Sequence, residues 1–315
     1  MPLPSCWAGL LEFDQSATLA SMHAAIAAAA LSGDNVLIDF LKERLAELVG
    51  DNVHNAMEVL NWAEKVTGPE LAIYMESLKT TGAVQNPKVS DRLLAMGENS
   101  KSSLENRLAA LDTLETQKHF APETQQRVKA LALDDKLEEV AWVATRTLGR
   151  VAKEDFERTG NYQDYWKDLL DIGKRSGDAG VRALALEMPS YAEPLVDGKS
   201  IDSLGNILRT DPDPHVREMA AHRLGLTDDP DKALDTFRAS FNAEKDLCLR
   251  WAIFRFALRA AGPQALPLVQ QFAAADPRFL KEYEEFKAIY DRGVTDFARV
   301  WAEKPENIQC IGEEE

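Results

Sequence analysis

Along almost the whole chain apolar residues recur at intervals of three and four, while alternation of β-branched residues never lasts, so the pattern predicts helices and no sheet. In "DNVLIDFLKERLAELVG", Leu37, Leu41, Leu45 and Leu48 share one helix face and the run stops at Gly50; "DNVHNAMEVLNWAEKV" restarts with Asp51 or Asn52 as its cap. Gly and Pro punctuate at short intervals, which predicts helices of roughly 10 to 18 residues joined by tight turns. Pro69, Pro122, Pro230 and Pro263 read as first-turn prolines, and Gly149 and Gly225 as helix terminators.

The pattern also repeats. "VREMAAHRLG" (216–225) aligns with "VRALALEMPS" (181–190), "VAWVATRTLG" (140–149), "NRLAALDTLE" (106–115) and "LRWAIFRFAL" (249–258). Their fifth positions are Ala110, Ala144, Ala185, Ala220 and Ile253, at steps of 34, 41, 35 and 33 residues. A second amphipathic helix precedes each. One such hairpin cannot bury its own apolar face and must stack on its neighbours, so the expected fold is all-α: an α-solenoid of antiparallel helical hairpins, wound as a right-handed superhelix.

These residues resemble the HEAT-repeat family, in particular the short bacterial HEAT-like, PBS-lyase-type repeat, whose second helix opens with Asp-Pro shortly before Val-Arg and runs into Ala and Leu-Gly, as "DPDPHVREMAAHRLG" does at 211–225. Ala141 and Pro189 depart from that pattern. The resemblance covers residues 91–262, preceded by degenerate helical hairpins over 1–90 and followed by a helical cap over 263–305 and a flexible acidic tail over 306–315. It implies that Arg107, Arg182, Arg217 and Arg250 are structural, each pairing with a carboxylate near a repeat junction. In the cap, Leu280, Tyr283, Phe286, Tyr290, Val294, Phe297 and Trp301 read as one stripe that seals the last repeat.

Charge narrows the partners. The chain carries 52 Asp and Glu against 36 Lys and Arg, a net charge of -16, and each third is acidic, which counts against nucleic acid and anionic lipid. The longest low-polarity run, "AAIAAAALS", is too short to span a bilayer. Cys6, Cys248 and Cys310 are too scattered for a disulfide framework or a zinc site, so a reducing, cytoplasmic setting is expected; export or lipid anchoring follows instead if a signal peptide was removed before Cys6.

No nucleotide-binding, zinc-protease or hydrolase motif is present, and no cofactor or metal is expected. His215, Glu218 and His222 share a face, but the two histidines sit roughly 10 Å apart, too far for one ion without a bend. Asp134-Asp135, Glu138-Glu139 and Glu282-Glu284-Glu285 read as caps and solvated faces. The third and seventh positions of the aligned helices lie off the buried stripe, toward the face that lines the groove in a HEAT-like solenoid. They bring Trp142, Arg146 and Arg150 to one end, Trp251, Arg255 and Arg259 to the other, and Glu187, Glu218 and His222 between them. Either these residues form a partner-binding surface, or each Trp packs into a repeat junction while each Arg pairs with a carboxylate. The expected function is a monomeric, non-enzymatic scaffold that binds a protein or peptide on its concave face. Alternatives are a HEAT-like DNA glycosylase or nucleic-acid binder, a bilin-lyase-like accessory protein, and a scaffold held at a membrane through Cys6.

Overall fold

The computed structural model describes residues 17–133, 136–188, 196–306 and 310. Cys6, Asp134, Asp135, Pro189 and most of the acidic tail lie outside them. The fold is all-α, and the one exception to helix and turn among the described residues is an isolated bridge between Val196 and Thr227. Two compact units divide at Tyr165/Trp166, inside the repeat block.

The first unit runs α1 (Leu19–Ser32), α2 (Asn35–Val49), α3 (Val53–Ala63), α4 (Gly68–Lys79), α5 (Pro87–Glu98), α6 (Leu104–Leu114), α7 (Pro122–Ala132) and α8 (Glu138–Thr159). Helix α9 (Gln163–Arg175) carries the division. The second unit continues with α10 (Ala179–Glu187), α11 (Gly198–Thr210), α12 (Pro214–Leu224), α13 (Pro230–Ala243), α14 (Leu247–Ala261), α15 (Leu266–Ala275), α16 (Leu280–Asp291) and α17 (Phe297–Glu303). Within each unit a helix packs on its hairpin partner and on the equivalent helix of the next hairpin. In the first unit α3, α5 and α7 stack in one layer and α4, α6 and α8 in the other; in the second, α11, α13 and α15 stack beside α10, α12 and α14. That is the stacking of an α-solenoid, in which apolar surface is hidden only between immediate neighbours.

The register follows from small residues and caps. Ala110, Ala144, Ala185, Ala220 and Ile253 are all fully buried on α6, α8, α10, α12 and α14. Hairpin partners approach closely: a Cβ on Gly97 of α5 would lie 2.8 Å from the Leu111 side chain of α6. Ser103, Asp178, Asp213 and Asp246 each cap a second helix by accepting from its first free N–H groups, and four residues later each helix carries Arg107, Arg182, Arg217 or Arg250. In α8 both features are gone, since the cap residue Leu137 has no side-chain hydrogen bond to offer and Ala141 stands in the Arg position.

Three expectations are corrected. Gly149 does not end a helix. It is buried inside α8, whose apolar face continues through Val151 and Ala152 until Gly160, at φ 72°, takes the left-handed cap. The stripe over 280–301 is not one helix either: Gly293, at φ 86°, breaks it, so that Phe286 and Tyr290 face the core from α16 while Phe297 and Trp301 ride on α17.

The third correction concerns the cysteines. Cys248, at the start of α14, is disulfide-bonded to Cys310, 62 residues away. Sequence separation hid this pair, because the cap folds back along α14. Closing a loop of that size stabilises a fold by about 2–4 kcal/mol. Reduction, or Cys248→Ser, is therefore expected to lower the urea unfolding free energy by that amount, and an unchanged midpoint would show that the bond carries no load.

Candidate functional site

Helices α12, α14 and α17 of the second unit enclose a cleft of about 590 Å³. Leu226 and Phe256 contribute apolar surface, α17 contributes Phe297 and Trp301, and His222, Arg255 and Arg259 contribute the polar part. Three sequence-predicted residues thus meet in one cavity. They do so because positions 222 on α12 and 255 and 259 on α14 face the same side of adjacent stacked helices.

The polar groups are ordered by one another. An Arg259 Nη1 donates to His222 Nε2 across 2.8 Å. A guanidinium has only N–H groups to offer, so Nε2 is the acceptor and Nδ1 carries the imidazole proton. The His222 Nδ1 atom is buried without a hydrogen-bond partner. Phe256 meets the same ring edge-on, with centroids 5.1 Å apart. Arg255 donates from Nη2 to Glu218 Oε1 across 2.6 Å, and its Nε is likewise buried without a partner. Its guanidinium carbon lies 4.8 Å from the Phe256 ring centroid and 5.9 Å from that of Trp301.

Burial, reinforced by the charges of Arg259, Arg223 and Arg255, pushes the pKa of His222 down from 6.5 to about 3. The native imidazole is therefore neutral at every ordinary pH. Because the folded value lies below the unfolded one, the unfolded chain binds the extra proton as pH falls below 6.5, and stability is lost down to about pH 3. Between pH 7 and pH 5 this group is expected to remove about 2 kcal/mol. His222→Gln should lose that much less stability than the parent over the same interval in paired urea titrations, and equal losses would contradict the burial argument.

Several sequence-predicted residues do not belong to the cleft. Trp251 is fully buried and packs against Phe254, Phe279, Phe286 and Trp301, with ring centroids 5.7 to 6.5 Å away. As a partner contact it is corrected to a core residue: α16 and α17 lie over the face on which the third position of α14 stands. Glu187 is exposed and does not line the cavity; its backbone carbonyl, like that of Leu186, accepts from the fully buried Arg223 and so caps the end of α10. Glu218 reaches the site only through Arg255, and His215 Nδ1 stands 4.0 Å from Glu218 Oε2.

In the first unit Trp142 is 38% exposed, with Arg146 over its ring at 5.2 Å. Arg146 is ion-paired to Asp112 and Glu115, and Arg150 to Glu115 at 3.2 Å. Burial raises the pKa of Glu115 despite these cations. The shallow recess beside them, about 290 Å³, is lined by Leu108, Asp112 and Arg146 among others. Arg146 is neutralised there by Asp112 and Glu115, much as Arg255 is paired with Glu218 beside the second-unit cleft.

The four repeat arginines are held at junctions. Arg182 binds Asp211 through Nε and Nη2 at 2.9 and 3.0 Å, Arg217 lies 3.4 Å from Glu244, and Arg250 lies 2.6 Å from Asp276 while covering the Phe241 ring. Arg107 differs, with Nε donating to the Gly97 carbonyl at 2.7 Å. The residues that sequence reasoning missed at the site are Phe256, Phe297 and Trp301. The last two carry a signal, an aromatic pair four residues apart, which the cap stripe had absorbed. Among the described residues no helix is long and apolar enough to cross a membrane. No family model matches the chain, and no curated protein is significantly similar to it.

Proposed function

We propose that the chain is a non-enzymatic, HEAT-like repeat scaffold that works as a monomer and holds a protein or peptide partner, docked in the cleft between α12, α14 and α17. The observation that carries this reading is the cavity itself: about 590 Å³ where guanidinium groups and aromatic rings meet on a stacked-helix face. Arg and the large aromatics supply most of the energy of protein recognition, and the cavity is of the size that encloses a few side chains. The nucleic-acid alternative loses support from the burial of Trp251, which removes one of its two stacking residues. The Cys248–Cys310 disulfide favours an oxidising setting, and hence the exported or Cys6-anchored alternative over the cytoplasmic one.

The test is to pan a displayed random dodecapeptide library on the intact, oxidised chain. Enriched peptides are expected to bind Phe297→Asp at least about tenfold more weakly, with helical circular dichroism unchanged. Enrichment that ignores this substitution would place recognition elsewhere, and no enrichment would remove the peptide-binding reading.

A further inference from the structure

A further cavity, of about 360 Å³, opens in the first unit beside the first turns of α5 and α7. Ser90 and Thr124 line it, and both are more than nine-tenths buried, at 7% and 8% exposure. Neither hydroxyl has a hydrogen-bond partner among the described residues, and neither oxygen is closed off from the cavity, so both are presented to whatever occupies it. Gln117 lines the same wall at 3% exposure; its Nε2 donates to the Val84 carbonyl, and its Oε1 receives no donor. Ala121 gives α7 no side-chain cap and Pro122 has no N–H, so the main-chain N–H groups of Glu123 and Thr124 end here uncapped. Buried polar groups are regularly paired in folded proteins, so this set at one cavity points to a ligand.

The charges round the cavity restrict what that ligand is. Asp91 and Glu123 oppose an anion, although Arg127 pairs with Asp91 at 3.2 Å. Lys118 and the positive end of α7 oppose a cation. An apolar ligand would leave the hydroxyls and the Gln117 oxygen unmatched. What the wall offers is hydroxyls that both donate and accept, carboxylates and an amide oxygen that accept, and N–H groups that donate. A neutral polyol answers that mixture, because each of its hydroxyls donates and accepts through one atom, whereas an amide holds its donor and its acceptor apart. The volume lies at the small end of ligand cavities and suits one ring rather than a chain.

We propose that this cavity binds a neutral polyhydroxylated ring, of the monosaccharide or cyclitol kind. Ring hydroxyls donate to Asp91, Glu123 and Gln117 Oε1 and accept from Ser90, Thr124 and the α7 N–H groups, while Pro87 and Ala121 cover the C–H edge. The site lies wholly within the first unit and does not rest on the peptide reading of the second-unit cleft.

The experiment follows the amide resonances of the full-length, oxidised chain during titration with D-glucose, D-galactose, D-mannose and myo-inositol. At least one is expected to move the Glu123 and Thr124 amides saturably, with a Kd of about 1–10 mM. Ser90→Ala combined with Thr124→Val should weaken that ligand about tenfold with helical circular dichroism unchanged, and Thr124→Ser alone by less than about threefold. Glucose 6-phosphate, protonated D-glucosamine and N-acetylglycine N-methylamide serve as the anionic, cationic and peptide-like comparisons. If any of these three binds more tightly than every neutral polyol, the ligand class is overturned. If no polyol saturates by about 100 mM, or the one that does moves only amides elsewhere, ordered water alone satisfies the cavity and the proposal falls. The titrations of the unsubstituted chain decide the matter even if a variant misfolds.

Discussion

Lys304→Ala is expected to lower the unfolding free energy by about 3–5 kcal/mol, far more than a single lysine usually contributes. Most lysines are surface groups whose ion pairs are worth little. Lys304 is different: its side chain has no solvent exposure, and its Nζ lies 2.7 Å from Glu282 and 2.9 Å from Glu285. The same ammonium donates to the Glu306 carbonyl at 2.6 Å and sits 5.9 Å from the ring centroids of both Trp251 and Phe286. Removing it leaves the buried Glu282 carboxylate, and the largely buried one of Glu285, without their nearest counter-charge. The triple variant Lys304→Met, Glu282→Gln, Glu285→Gln should recover most of the loss, since it removes the uncompensated charge together with the cation. Urea unfolding of the oxidised protein measures both. A loss under about 1 kcal/mol for Lys304→Ala would mean the ammonium is hydrated and the cap is not locked there.

Trp251→Ala is expected to cost about 3–5 kcal/mol, whereas Trp142→Ala, at the aligned position of another repeat, should cost roughly 1 kcal/mol or less. The difference is one of surroundings. Trp251 is enclosed by Phe254, Phe279, Phe286 and Trp301, so truncation opens a cavity beneath α16 and α17. Trp142 is partly in water and touches Arg146 on one face. Chemical unfolding of the two single variants provides the comparison, and equal costs would contradict the different environments of the two rings.

The same pair shows what the sequence could and could not express. Helical periodicity alone gives the helix content, the hairpin stacking and the buried fifth positions from Ala110 to Ile253, because each depends on residues close in the chain. Periodicity also puts the third position off the buried stripe of its own hairpin, and that holds for Trp142. For Trp251 it fails, since α16 and α17 return across that face, and nothing local to residues 247–261 records their return. Gly149 misleads for a related reason: glycine ends a helix only when the apolar face ends too, and Val151 and Ala152 continue it. The disulfide and the cleft wall at Phe297 and Trp301 both depend on how the last segment folds back along α14, a tertiary fact invisible to spacing. What was legible at the site is the side on which His222, Arg255 and Arg259 meet. The imidazole tautomer is not legible, since it follows from Arg259 donating to His222 Nε2.

Indole N–H resonances observed during titration with the most enriched peptide test the docking site most directly. Trp301 lines the cleft, while Trp166 is buried elsewhere in the same unit with its Nε1 donating to Ser200 Oγ. Docking in the cleft predicts that the Trp301 resonance moves in a saturable manner and the Trp166 resonance stays in place. Peptide binding that leaves Trp301 unmoved would contradict it.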